Sequence, residues 1–161
     1  MEKGFVSGVS VDKNVARISV IRVKDEPGIA YRICNCLSKK GIKIDMIVQS
    51  GAKDGVQDIS LTVGKNAVQD AVNIINAHTH EFPAERVEWE AGIAKMTLVG
   101  AGIAENPGVP AMLFEALFAA GVNIKTISSS EIRITVLIDA RDADKAMDAI
   151  REAFHLDQQK G

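Results

Sequence analysis

Aromatic residues are scarce in this chain, at 4% of its 161 residues, with a single Trp and a single Tyr. The core must therefore be built from aliphatic side chains. A nucleic-acid platform of stacked rings is excluded as well. Charge of one sign is also lacking. The formal net charge is −2 and the isoelectric point about 5.9, which leaves no basic excess for nucleic acid or an anionic membrane. No apolar run approaches the ~18 residues of a membrane span. The N-terminus, Met1 to Phe5, has no basic stretch followed by an apolar one, so no signal peptide is expected. Only two cysteines occur, and Cys34 and Cys36 stand two apart in one predicted helix, where they do not share a face. Reduced thiols in a cytoplasmic protein are the expectation.

Catalytic signatures are missing too. There is no Gly-rich lysine loop for phosphate, no nucleophile with a base at recognisable spacing, and no metal-ligand pattern. Gly100-Ala101-Gly102 lacks the third glycine of a dinucleotide fingerprint. His78 and His80 have no matching Cys or His and read as complementing a helix C-terminus. What remains, with 47% hydrophobic and 25% charged residues, is an ordinary globular composition and no catalytic residue.

What is present is a repeat. Glu26-Pro27-Gly28-Ile29-Ala30, a helical stretch, and Gly41-Ile42-Lys43-Ile44-Asp45-Met46-Ile47 recur 80 residues later. There they read Asn106-Pro107-Gly108-Val109-Pro110 and Gly121-Val122-Asn123-Ile124-Lys125-Thr126-Ile127. Ala16 to Ile21 matches Ala94 to Val99, and Ile59 to Val63 matches Ile134 to Ile138. A unit this long is a domain rather than a solenoid repeat. A domain of ~75 residues buries little core alone, so a tandem pair is expected to form an interface.

Each copy reads β-α-β-β-α. In the first, Ala16 to Val23 is a strand and Asp25 to Gly28 breaks it. Ile29, Ile33, Cys36 and Leu37 then share one helical face until Gly41 stops the helix. Ile42 to Val48 is predicted as a strand, Gln57 to Val63 as its hairpin partner, and Ala67 to Ala77 as a second helix. Arg86 to Glu90 closes this unit. The second copy ends with a helix from about Ala143 to Phe154, and no closing strand is predicted after Leu156. A spare strand, Gly8 to Asp12, lies at the N-terminus, at the same offset before Ala16 as Arg86 to Glu90 lies before Ala94. The expected fold is α+β, with two ferredoxin-like βαββαβ units. The first unit, 15–91, is inserted in the second, 5–14 plus 92–156, and the N-terminal strand crosses over to avoid an unpaired edge.

The two Pro-Gly turns are the first functional candidates. Helix-start amides beside a glycine bind anions, including an amino-acid carboxylate; the alternative is a plain helix start capped by Asp25 or Asn106. Next come the polar residues on the strands after the helices: Lys43, Asp45 and Gln49 in one copy, and Asn123 with Ser128 to Glu131 in the other. They could hold an amino group, or they could be solvated strand positions. Phe114 and Phe118, beside Val109, Leu113 and Leu117, widen the apolar arc of one helix beyond a single contact, and a homodimer is expected.

These turns and strand orders resemble ACT domains, small regulatory amino-acid-binding modules. The strings Asp12-Lys13-Asn14, Ile44 to Gln49, Asp58-Ile59-Ser60, Val99 to Gly102, Asn106 to Val109 and Ile127 to Ile134 resemble the regulatory regions of aspartate kinases over about Val6 to Leu156. Met1 fits either a separate regulatory β subunit or the C-terminal half of a longer chain. The resemblance implies feedback inhibition by lysine, threonine or both, bound between ACT units of paired chains. The implied effector contacts are Asp25, Gly28, Ile29 and Ala30 on the first turn, and Lys43, Ile44, Asp45 and Gln49 on the first strand. From the second unit they are Val109, Pro110, Asn123, Ile124, Ser130 and Glu131. The implied partner is a catalytic aspartate kinase α subunit or domain, which would hold ATP and Mg; no cofactor is expected on this chain. Relatives usually carry Asn at Lys43, Ala or Thr at Pro110, and an acidic-apolar pair at Lys125-Thr126. Competing readings are an RNA-recognition fold, which lacks its aromatics here, an acylphosphatase-type enzyme, which lacks its arginine loop, and an assembly module without effector.

Overall fold

The computed structural model describes residues 6–156. Contacts divide the chain into two compact units, an inserted unit of residues 14–91 and an outer unit that in the described residues comprises 6–13 and 92–156.

The inserted unit contains strands β2 (Ala16–Lys24), β3 (Ile47–Gln49), β4 (Val56–Val63) and β5 (Arg86–Glu90), and helices α1 (Ile29–Ser38) and α2 (Val68–Ala77). Its antiparallel sheet runs in the order β3-β4-β2-β5. The outer unit contains β1 (Gly8–Asp12), β6 (Ile93–Val99), β7 (Ile124–Ser129) and β8 (Arg133–Asp139), with α3 (Gly108–Ala119) and α4 (Ala143–Ala153). Its sheet runs β1-β6-β8-β7, also antiparallel throughout. This is the expected pair of ferredoxin-like units. The N-terminal strand completes the second of them: Gly8 stands opposite Val99 and Asp12 opposite Lys95. Phe5, where the outer unit was expected to start, and Asp157 to Gly161, which bear on a closing C-terminal strand, lie outside the described residues.

Period-two burial explains the sheets. In β2, Ala16, Ile18 and Val20 are buried, while Arg17, Ser19 and Ile21 on the other face are half-buried. Helices cover the apolar face. Ile29, Ile33 and Leu37 of α1 and Ala71, Val72 and Ile75 of α2 close one core around Ile18, Ile59 and Leu61. Val109, Leu113 and Leu117 of α3, with Ala146, Met147 and Ile150 of α4, close the other around Met96, Leu98 and Val136. Both cores are aliphatic as expected, with Phe82 and Phe154 as their buried rings.

Both first helices end alike. Gly41 and Gly121 adopt left-handed φ of 74° and 71°. The following amides, of Ile42 and Val122, reach back to the carbonyls of Leu37 and Leu117 at 3.1 and 2.9 Å, which satisfies carbonyls the helix leaves over.

One element is shorter than its sequence predicts. Ile42 to Met46 is not ladder strand, and β3 begins only at Ile47. The cause is a bulge at Asp45 and Met46. The Asp45 N–H donates to the Thr62 carbonyl (3.0 Å), and the Met46 N–H is taken by the Thr62 hydroxyl (2.9 Å), so two residues oppose one. The same slip occurs in β7 between Ile124 and Thr126, where Leu137 occupies the position of Thr62 and the strand continues. A side-chain acceptor in place of a leucine decides the difference.

Candidate functional site

The two Pro-Gly turns differ where sequence alignment makes them equivalent. The counterpart of Asn106 is Glu26. Asn106 Oδ1 accepts the Gly108 N–H at 2.9 Å, and its carbonyl accepts the Val109 N–H at 3.2 Å. Gly108 is the first residue of α3 and Pro107 its cap position, which offers no side-chain acceptor; Asn106 makes an Asx turn just ahead of the helix rather than capping it. Glu26 does not cap. Its longer side chain pairs with Lys24 (3.3 Å) and Arg32 (3.7 Å). No side chain caps α1 and no acidic residue lies in its first turn. Gly28 sits just outside the helix at φ 92°, a conformation that costs an L side chain ~1–2 kcal/mol. Asp25 does not cap α1 either; its N–H donates to Gly55 (2.9 Å), which ties the turn to the β3–β4 hairpin.

Asp25, Gly28 and Ala30 are exposed, and Ile29 is buried beneath them as the first core residue of α1. Gln49 ends β3 on this side of the sheet, opposite Ile59, and its side-chain amide donates to the Oε1 of Gln57. Gln57 is 6% exposed. Sequence reading missed it; the signal was a polar residue on the inward phase of an otherwise apolar strand. Lys43, Ile44 and Asp45 are not brought to this end. Asp45 is level with Thr62, six residues along β4 from Val56, which pairs beside the turn, or about 20 Å at strand rise.

The outer unit repeats this division. Glu131 lies at the α3 end, where its carbonyl accepts the Ala104 N–H (3.2 Å), and the Ser130 N–H closes the hairpin on Arg133 (2.8 Å). Val109 is buried, Pro110 is half-buried, and both belong to the first turn of α3. Asn123 and Ile124 lie at the opposite end, Ile124 facing Ile138. Lys125 is paired with Asp139 at 3.3 Å. Each unit therefore gathers only part of its candidate residues at its turn and leaves Lys43 to Asp45, or Asn123 and Ile124, at the other end.

Other clusters carry less chemistry. Burial pushes the Cys34 thiol up, and burial followed by the Glu81 charge does the same to Cys36, which suits inert thiols. His78 Nδ1 sits 2.7 Å from the Ile74 carbonyl, at the end of α2 as expected. Among the described residues, no group of three His, Cys, Asp or Glu could hold a metal, and no helix is long and apolar enough to cross a membrane. A polar cleft of about 250 Å³ at the β3–β4 hairpin is lined by Arg22, Ser50, Lys53 and Asp58 and by the buried Gln57. A groove of about 540 Å³ between α3 and α4 is lined mainly by alanines.

An ACT-domain family model matches residues 18–78 and 96–154. The regulatory subunit of aspartate kinase from Thermus thermophilus, in its ligand-free form, superposes with a TM-score of 0.86 at 37% identity, over 92% of this chain and 98% of that one. A structure of aspartokinase alpha and beta subunits superposes equally well, at 35% identity over 94% and 99% of the two chains. An aspartokinase of Helicobacter pylori is 37% identical over 158 residues, which is 98% of this chain and 38% of that protein. The chain thus spans well under half the length of the curated relatives it matches. It belongs to the ACT-domain family, as a tandem pair of the kind that forms the regulatory subunit of aspartate kinase.

Proposed function

We propose that this chain senses lysine, threonine or both and passes their binding to an aspartate kinase catalytic chain as feedback inhibition of aspartate phosphorylation. The observation that carries the reading is the uncapped start of α1. The Ile29 N–H turns back to the Glu26 carbonyl at 3.4 Å, and the remaining first-turn amides have no side-chain cap and no acidic residue beside them. A Cβ on Gly28 would meet nothing within 4 Å, and Asp25 stands exposed. An α-carboxylate suits such amides, and a cationic amino group suits Asp25 and the carbonyl oxygen of a side-chain amide. ATP and its magnesium ion would be held by the catalytic chain, in keeping with the alpha and beta subunits of the related assembly.

A homodimer completes the site. β3 and β7 are sheet edges, and the equivalent residues Ile47 and Ile127 stand 51% and 48% exposed on them. Unpaired edges with apolar side chains are sites of strand addition. An antiparallel pairing of such edges between two copies lays the start of one strand beside the end of the other. Lys43 to Asp45, or Asn123 and Ile124, of one copy then reach a turn of the second. The candidates that each unit separates are reunited in this way. Such a protein works in the cytoplasm, where amino acids are made.

The test is calorimetric titration of the chain with each of the twenty amino acids. Saturable binding of lysine or threonine is expected, and its absence at ~10 mM, where a millimolar ligand still gives a measurable signal, would overturn the reading. An assembly module without effector is the alternative: a dimer by sedimentation that binds none of the twenty.

A further inference from the structure

We infer, resting on the reading above, that Asp58 is a positioning residue for the ligand. It holds the end of β2, which leads into the Asp25 turn, against the end of β3, which carries Gln49. The starting observation is a strained residue. β2 has one residue more than its partner, so Ile21 and Arg22 together oppose Asp58, between the pairs Val20–Ile59 and Val23–Gln57. The extra residue resets the alternation, and Val20 and Val23, three apart, are both fully buried. Arg22 bears the distortion with a φ of 52°, a conformation that glycine takes freely and an L side chain resists.

Such strain persists only where neighbours over-determine it. The Arg22 N–H donates to Asp58 Oδ1 at 2.8 Å, and Arg22 Nε pairs with Glu85 at 3.1 Å. The backbone of Asp58 grips the residue after β3: its N–H donates to Ser50 Oγ at 2.9 Å and its carbonyl accepts the Ser50 N–H at 3.0 Å. One residue thus clasps two elements, each bearing part of the candidate site. Contact groups on separate elements keep their spacing through residues behind them.

The outer unit shows that the fold does not require this clasp. Gly100 aligns with Arg22 and Arg133 with Asp58. β6 and β8 pair without a register shift, and the Gly100 N–H goes to the Ile132 carbonyl at 3.0 Å. No residue of β6 has a positive φ. A backbone bond there stands in place of the carboxylate.

Calorimetric titration of variants with L-lysine and L-threonine tests the clasp. Asp58→Ala leaves Arg22 strained and unheld, and is expected to weaken the amino acid that binds the parent at least tenfold. Asp58→Asn keeps the Oδ1 acceptor and is expected to stay within threefold. Ile59→Val destabilises the same strand without touching the clasp and should stay within twofold. Arg22→Gly takes the left-handed conformation unaided, so the Arg22→Gly, Asp58→Ala double variant should return to within threefold of the parent. Parent-like binding by Asp58→Ala, or a tenfold loss in Ile59→Val, overturns the inference and leaves the effector reading intact. If Asp58→Ala lacks a cooperative unfolding transition, the double variant decides: parent-like affinity supports the clasp, and weak binding or failure to fold overturns it. A parent that binds neither amino acid overturns both readings.

Discussion

The inserted and outer units share a strand order, an aliphatic core and a glycine-stopped first helix, and they differ most where that helix begins. In the outer unit the Asn106 carboxamide takes the N–H of Gly108, the first residue of α3, and Pro110 lies in the first turn. In the inserted unit the start of α1 is left unfinished. Glu26 is drawn to Lys24 and Arg32, Gly28 takes a left-handed conformation, and no side chain caps the helix. A side-chain hydrogen bond of this kind contributes ~0.5–1.5 kcal/mol, while the exposed ion pairs of Glu26 contribute little. The inserted unit thus forgoes local stability at the position where an anionic ligand would supply it. A duplicated fold can divide labour in this way without changing its topology, because a helix start is decided by one side chain and a sheet by dozens.

Substitutions that treat the units as equivalent should fail in graded order. The largest effect is expected in the cores. Phe82→Ala removes a fully buried ring from the inserted unit and should cost ~3–5 kcal/mol, read as a drop in the denaturant midpoint. Its contrast in the outer unit is Phe118, 84% exposed on α3, where Phe118→Ala should change the folding stability of a chain held monomeric by dilution by less than ~0.5 kcal/mol.

Deletion through Val11 removes most of the strand that pairs with β6. At ~0.5–1.5 kcal/mol per lost backbone hydrogen bond, the outer unit should lose about 3 kcal/mol. Amide exchange should then show protection falling in β6 and β8 and persisting in β2 and β4. Equal loss in both sheets would break the account of the crossover.

The turns give the intermediate effects. Asn106→Ala removes the bond to the Gly108 N–H, should destabilise the outer unit by ~1 kcal/mol and should leave ligand binding alone. Asp25→Ala should do the reverse, changing stability by less than ~0.5 kcal/mol and weakening lysine or threonine at least several-fold. The pair of measurements separates a structural carboxamide from a ligand-facing carboxylate.

The smallest contrast is in pH. Cys34 and Cys36 belong to α1, whereas the aligned positions of α3 are Phe114 and Ala116. Both thiols are held above their ordinary value by burial, so the unfolded chain releases these protons first. The inserted unit should lose stability as pH rises past the ordinary thiol range and keep it below that range. The outer unit should show no such slope from thiols. Global unfolding of a Cys34→Ala, Cys36→Ala variant between pH 8 and 10 checks the sign.

Much of this plan is legible in the residues. Alternating burial positions mark β2, β4 and β6, and the offset between Gly8 to Asp12 and Arg86 to Glu90 points to the crossover of β1. The length of β3 is not legible, because it is set across the ladder by the Thr62 hydroxyl rather than by Ile42 to Met46 themselves. The two Pro-Gly turns are legible as candidates, but their difference is not. Glu26 and Asn106 both look like polar residues before a helix, and only the partners of each side chain distinguish an Asx turn from an ion pair. Gln57 escaped notice for a similar reason, since its neighbour Gln49 lies across a hairpin. The candidates Lys43 to Asp45 and Asn123 share a unit with a turn but not an end of the sheet, a separation that only register discloses.

The most direct test is a proton–nitrogen correlation spectrum of the chain titrated with lysine and with threonine. The account predicts that at least one of them moves the backbone amides of Gly28, Ala30 and Tyr31 and the side-chain amide of Gln49. Gly108, whose amide is already held by the Asn106 side chain, should stay in place. Shifts centred on Gly108 and Val109, with the first turn unmoved, would contradict it.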